Sequence, residues 1–222
     1  MVTICMKLFL TVLLAIPIIT LAQGQGFDTD DPIQYAAPGI YLSFENFITN
    51  SPIDPETIVT DQNPYGAGFY LQLFKEKTIE YVMGSTSEKF RSDGIWGYCD
   101  GRSIWINREV FPAGFFTPSD VTEHPFAKIS FPGELSLVHF VRNHAPQANQ
   151  WGGVSSGSSK PLEFILDTRD GKIHKATLKN LERLIENDPD LLNEFRKQKK
   201  DMDIKLYVFL RKYNQKNPFE FR

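Results

Sequence analysis

Gly153-Val154-Ser155-Ser156-Gly157 has the spacing of a nucleophile elbow, in which a serine on a sharp strand-to-helix turn attacks an acyl carbon. His124, His139, His144 and His174 are bases that such a serine would need. The flanking residues point elsewhere. Those before the motif are polar, and Pro161 leads into an apolar run of strand character rather than a helix. Residues 145–160 are rich in Gly and Ser, so the pattern arises from composition and the stretch reads as a mobile loop. No catalytic residue is assigned on this basis. A serine hydrolase using Ser155 stands as an alternative function.

Metal and phosphate chemistry find less support. His139 and His144 are five residues apart, which in a strand puts them on opposite faces. Asp28, Asp30 and Asp31 look like the start of a calcium loop, but no glycine or closing glutamate follows at the required distance. Gly66-Ala67-Gly68 precedes an aromatic run read as a strand, so it cannot offer a helix N-terminus to phosphate. The chain carries no nucleotide motif and implies no cofactor and no metal.

Three aromatic residues are the best binding candidates. Trp96, Tyr98 and Trp105 fall on one face of a hairpin, where they could stack on a sugar ring or grip a protein. Packing in the core is the competing explanation, since one hairpin face must turn inward. A second candidate surface is electrostatic. Residues 196–222 hold nine basic residues against three acidic ones, while the rest of the chain is acidic. That tail pairs with the acidic body, or it meets an anionic partner such as a lipid headgroup.

These residues need elements to hold them. Ser43 caps a short helix through Phe44 to Ile48. Phe69 to Phe74 and Ile79 to Met83 read as strands turning at Lys75 to Thr78. Ile95 to Cys99 and Ile104 to Ile106 form a hairpin around Asp100-Gly101, a pair suited to a two-residue type I′ turn. That turn would set Tyr98 opposite Ser103 and Trp96 opposite Trp105. Ile95, Cys99, Ile104 and Ile106 would occupy the other face, so both faces are apolar and both need cover, or one is a binding surface. Phe126 to Phe131 and Leu135 to Val141 are strands joined by Pro132-Gly133, and residues 111–125 are loop. Leu162 to Leu166 returns by Asp170-Gly171 into Lys172 to His174. Thr177 then caps a helix with Leu178, Leu181, Leu184 and Ile185 at helical spacing. Asp188 caps another, with Pro189 at its first position. The apolar run from Ile204 to Tyr213 is read as a third helix on its length.

The N-terminus supplies an address. Lys7 precedes an apolar run from Leu8 to Ile19 and then Thr20-Leu21-Ala22, the layout of a signal peptide over residues 1–22. The run is short for a transmembrane helix and contains Pro17, and no later run approaches the length of a span. Residues 23–37 form a flexible polar leader. Cleavage after Ala22 leaves Cys99 as the sole cysteine, which excludes an internal disulfide. The chain is 41% hydrophobic, which excludes wholesale disorder, and its formal charge of −3 excludes a strongly basic nucleic-acid binder.

Three stretches carry a resemblance. They are Pro38-Gly39-Ile40-Tyr41-Leu42-Ser43-Phe44-Glu45-Asn46-Phe47, then Ile95-Trp96-Gly97-Tyr98-Cys99-Asp100-Gly101 followed by Ile104-Trp105-Ile106, and Asp188-Pro189-Asp190-Leu191-Leu192-Asn193-Glu194-Phe195 with the later Tyr213-Asn214. Their order and spacing resemble uncharacterised exported proteins of Bacteroidota-type bacteria. The resemblance implies a cell-envelope address, periplasmic or outer-membrane-associated, and brings no activity with it. Together the residues predict one α+β domain over 38–222, a curved antiparallel sheet with a C-terminal helical segment packed on it. They predict a non-catalytic module that binds an envelope protein or a small ligand.

Overall fold

The computed structural model describes residues 36–116, 125–140, 147–148, 154–155, 161–198 and 202–222. The expected signal peptide (1–22), most of the expected leader (23–37), His124, His144 and most of 145–160 lie outside these described residues.

The architecture is α+β. An antiparallel sheet of seven strands runs in the order β1 (Gly39–Tyr41), β4 (Gly97–Cys99), β5 (Ile104–Asn107), β6 (Phe126–Phe131), β7 (Leu135–Phe140), β10 (Leu162–Asp167) and β11 (Lys172–Lys175). The sheet is open, with β1 and β11 at its edges. Two small hairpins stand apart from it: β2 (Thr78–Met83) with β3 (Thr86–Arg91), and β8 (Gln147–Ala148) with β9 (Val154–Ser155). The helices are α1 (Phe44–Ile48), α2 (Phe69–Leu73), α3 (Leu178–Leu184), α4 (Pro189–Lys197) and α5 (Met202–Lys216).

Both sheet faces are apolar and both are covered. One face carries Tyr41, Ile106, Val138 and Phe164, which pack on Phe47 and Ile48 of α1 and on Phe219 near the C-terminus. The other face is shared by two layers. Leu135, Leu137 and Ile165 pack beneath α3, α4 and α5. Ile40, Tyr98 and Phe126 pack beneath α2 and β2. Each fully buried side chain of this size contributes about 1.5–3 kcal/mol, so these layers outweigh any surface ion pair.

The predicted helix caps form. The Ser43, Thr177 and Asp188 side chains accept from the backbone N–H three residues on, at 3.1, 3.2 and 3.0 Å. The run from Ile204 to Tyr213 is helical, within α5.

Three points correct or extend the sequence reading. Phe69–Leu73 is a helix, not a strand. Phe69, Tyr70 and Leu73 are buried while Leu71 and Gln72 are exposed, which is helical periodicity, and Gly68 at φ 78° turns the chain into it. A six-residue aromatic run fits both periods, and here packing on Tyr98 decides. The strand Thr86–Arg91 has no apolar signature, since nearly all its residues are exposed. It is held by pairing with β2 across Gly84-Ser85, with Gly84 at φ 63°.

The third correction is the register of the β4–β5 hairpin. Cys99 pairs with Ile104, Tyr98 with Trp105 and Gly97 with Ile106. The loop therefore has four residues, Asp100 to Ser103, rather than two. The cause is the Asp100 side chain. Its Oδ1 accepts from the backbone N–H of Arg102 at 2.9 Å and of Ser103 at 2.7 Å, closing a wider turn than the backbone alone would make.

Candidate functional site

The wider loop assembles a site. With Tyr98 opposite Trp105, the two rings lie nearly parallel, 6.1 Å between centroids at 12°. Tyr70 of α2 stacks on Tyr98 at 4.5 Å, and Phe74 and Phe126 close around it at 5.4 and 5.0 Å. Asp100 reaches along the loop so that the Trp105 indole N–H donates to its Oδ2 at 3.0 Å. Gly101, at φ 81°, lets the chain turn at this point.

Above this ladder lies an open cleft of about 540 Å³. That is within the range of small-ligand sites. Tyr65, Tyr70, Tyr98 and Trp105 line it together with Asp100 and Arg102, and the Gly66–Gly68 turn forms part of its wall. Tyr65 is 75% exposed, yet it is held at both ends. Its backbone N–H donates to Asn63 Oδ1 at 3.0 Å, and its hydroxyl donates to Glu56. The ring itself has one side-chain contact, at its hydroxyl, and its faces are open to solvent.

Burial pushes the Tyr70 and Tyr98 hydroxyls far above the usual phenol range, so both stay neutral. The Glu56 hydrogen bond raises Tyr65 as well. Cys99, behind the hairpin, is buried and its thiol is pushed up to about 11 by desolvation, which leaves it an inert core residue.

The structure separates the predicted aromatic trio. Tyr98 and Trp105 line the cleft, Tyr98 being only 3% exposed and Trp105 half-buried. Trp96 lies in the other cluster, 5% exposed, with its ring stacked on Phe47 at 4.5 Å. Strict alternation breaks at Gly97, where a Cβ would come 2.1 Å from the Trp105 carbonyl oxygen. Trp96 therefore packs with Tyr41 while Ile95 joins Tyr98 on the opposite side.

The other candidates take different places. Ser155 lies in the short strand β9 and pairs with Gln147, an antiparallel ladder rather than a strand-to-helix turn. His139 Nε2 is 3.1 Å from Glu163 Oε1 across the β7–β10 ladder, and the Tyr207 hydroxyl bonds both oxygens of that carboxylate at 2.6 and 2.7 Å. Among the described residues, no group of three or more His, Cys, Asp or Glu is placed to hold a metal ion. No helix among them is long and apolar enough to cross a membrane.

The basic tail is engaged with its neighbours. Arg196 pairs with Glu182 at 2.7 Å, Lys216 with Asp188 at 2.6 Å, and Lys212 with Glu194. Lys205 sits over the Phe195 ring at 3.9 Å and Arg211 over Phe131 at 5.7 Å. These contacts spread the tail's charge over the acidic body.

Tyr65, Tyr70, Asp100 and Arg102 are functional candidates that sequence reasoning missed. Asp100 had a local signal, the side-chain closure of an Asx turn. Tyr65 and Tyr70 had none, because the fold brings them to the hairpin from thirty residues away. No protein family, curated protein or solved structure matches the chain.

Proposed function

We propose that the protein is an exported cell-envelope binding module, without catalysis of its own, whose ligand seats in the cleft between α2 and the β4–β5 hairpin. The observation that carries this reading is the cleft itself, an opening lined by an exposed Tyr65 and a half-buried Trp105. Clefts lined by aromatic side chains with a few placed polar groups are the usual construction of small-ligand sites. Export is supported by Lys7 and the apolar run Leu8 to Ile19, and the envelope address by the resemblance described above.

The test is a ligand screen by NMR, using the indole N–H of Trp105 as reporter. A ligand of the cleft shifts that resonance, and Tyr65→Ala or Trp105→Ala abolishes the response while thermal unfolding stays cooperative. Hits whose binding is indifferent to both substitutions would move the site elsewhere. For the address, N-terminal sequencing of the product from fractionated cells is expected to begin just after Ala22. A product retaining Met1 or Met6 in the cytoplasm would refute export.

A further inference from the structure

Charges of both signs surround the cleft. Asp100 and Arg102 line it, with Arg102 exposed on the rim. Glu56 accepts from the Tyr65 hydroxyl, and the Lys128 ammonium lies 5.9 Å from the centre of the Trp105 ring. A ligand carboxylate would meet Asp100 and Glu56, and a ligand ammonium would meet Arg102 and Lys128. Like charges brought together cost affinity, so the cleft favours neither sign.

Two nearly buried hydroxyls add to it. Tyr70 and Tyr98 are 7% and 3% exposed, and both line the cleft. Among the described residues neither hydroxyl makes a hydrogen bond. Burial raises both, and the Asp100 charge adds to it in each case, so the carboxylate and the two hydroxyls share one neighbourhood. Asp100 takes three donors, whereas a carboxylate has about four lone-pair sites, so it keeps room for one more.

The polar set therefore needs a ligand that donates and accepts. Asp100 only accepts, Arg102 only donates, and the tyrosine hydroxyls do either. A proline-rich segment brings carbonyl acceptors, and its prolines have no N–H, so it has nothing to offer Asp100. A sugar hydroxyl does both, so an uncharged pyranose matches every member of the set. Its apolar ring face suits the open faces of the Tyr65 ring.

We infer that the cleft binds a short neutral oligosaccharide, with one pyranose ring stacked on Tyr65 and sugar hydroxyls bonded to Asp100, Arg102, Tyr70 and Tyr98. This rests on the proposed binding role of the cleft and names the ligand class.

The experiment titrates the full protein by calorimetry. The probes are neutral maltotriose, cellotriose, mannotriose and galactotriose, anionic trigalacturonate, the cationic trimer of glucosamine, and decaproline. At least one neutral sugar is expected to bind about tenfold tighter than either charged trimer, the difference a like-charge contact makes. Tyr65→Ala should weaken that sugar by about tenfold, the share of one aromatic face. Tyr70→Phe and Tyr98→Phe should each weaken it by about fivefold, the share of one neutral hydrogen bond. Both phenylalanine variants should keep or raise the parent's Tm, because the hydroxyl removed has no protein partner to lose. A purely structural hydroxyl would instead lower Tm.

A charged trimer that binds as tightly as the best neutral sugar overturns the inference. So does neutral-sugar affinity indifferent to both phenylalanine variants, or a fall of Tm in both. Tighter binding of decaproline overturns it too, and if that binding is lost in Tyr65→Ala the cleft keeps its binding role. Failure of every probe overturns the ligand class, and the indole screen then decides the cleft separately.

Discussion

Asn214 should be one of the costliest polar residues to remove, and the structure says by how much. Helix α5 meets the sheet at the start of β7, where the β6–β7 ladder ends at the Phe131–Leu137 pair. Leu135 lies beyond that end, fully buried. Its N–H donates to Asn214 Oδ1 at 3.1 Å, and Asn214 Nδ2 donates to its carbonyl at 2.9 Å. The side-chain amide has the same donor and acceptor as a peptide unit, so it stands in for the missing strand. Asn214→Ala leaves both backbone groups buried without partners, at about 1–3 kcal/mol each. The expected loss is therefore about 2–6 kcal/mol, read in urea as a lower midpoint with unchanged slope. A midvalue near 4 kcal/mol corresponds to a fall in Tm of roughly 8–16 °C for a chain of this size. Asn214→Asp keeps the acceptor but faces a carboxylate to the Leu135 carbonyl, so its deficit should shrink in acid, where the carboxyl can donate. Gly133 supplies an internal check. A Cβ there would come 2.0 Å from Asn214 Cγ, so Gly133→Ala should be destabilising in the parent and much less so beside Asn214→Ala. A loss below about 0.5 kcal/mol for Asn214→Ala, or strict additivity with Gly133→Ala, would refute the stand-in argument.

Further expectations concern other residues. His174 is half-buried with Arg183 Nη2 3.1 Å from its Nδ1, so Nδ1 accepts and the proton sits on Nε2. Burial, then the Arg183 charge, holds its pKa below the ordinary histidine value. The unfolded chain therefore binds the proton first, and stability that is complete above the unfolded pKa is lost as pH falls through the folded one. NMR titration should give a pKa below that of the denatured chain, and His174→Gln should flatten this part of the acid dependence; a raised pKa contradicts the assignment. The buried Cys99 thiol, pushed up to about 11, should resist maleimide in the native protein and react on unfolding, so prompt native labelling would show an opening hairpin. Trp96→Ala should cost about 3–5 kcal/mol, as for other buried tryptophans, and act on stability alone. Selective loss of ligand affinity at full stability would return Trp96 to the site. A fluorophosphonate probe should leave Ser155 unlabelled, and stoichiometric labelling there would establish the hydrolase alternative.

What the sequence made legible was local. The caps at Ser43, Thr177 and Asp188 were readable because each oxygen bonds an N–H only three residues away. The β6–β7 and β10–β11 hairpins were readable because turn residues separate strongly apolar runs. Failures came where a distant partner decides. Phe69–Leu73 satisfies two periods, and its helical form is selected by Tyr98, far along the chain. Thr86–Arg91 has no buried face and exists through its ladder with β2. The pairing of β7 with β10 spans a long insertion that no local pattern predicts. At the site, Tyr98 and Trp105 stood out by residue type, whereas Tyr65 and Arg102 have ordinary surroundings in the sequence and gain meaning only from position.

The two-residue difference in the β4–β5 loop is what shapes the cleft. A tight Asp-Gly turn would have set Trp96 across from Trp105 and gathered three aromatic rings on one face. Each of those rings would then compete for the same core. The Asp100 side chain instead spends its carboxylate on Arg102 N–H, Ser103 N–H and the Trp105 indole. The register moves by two, which keeps Tyr98 and Trp105 on one face and Cys99 and Ile104 on the other but changes their neighbours. Tyr98 becomes the partner of Trp105 and the seat for Tyr70, while Gly97 releases Trp96 to the opposite core. Asp100 keeps its negative charge in this closure, so the rim carries charges of both signs, Asp100 and Arg102. The local competition between a backbone turn and an aspartate side chain thus sets the shape of the cleft.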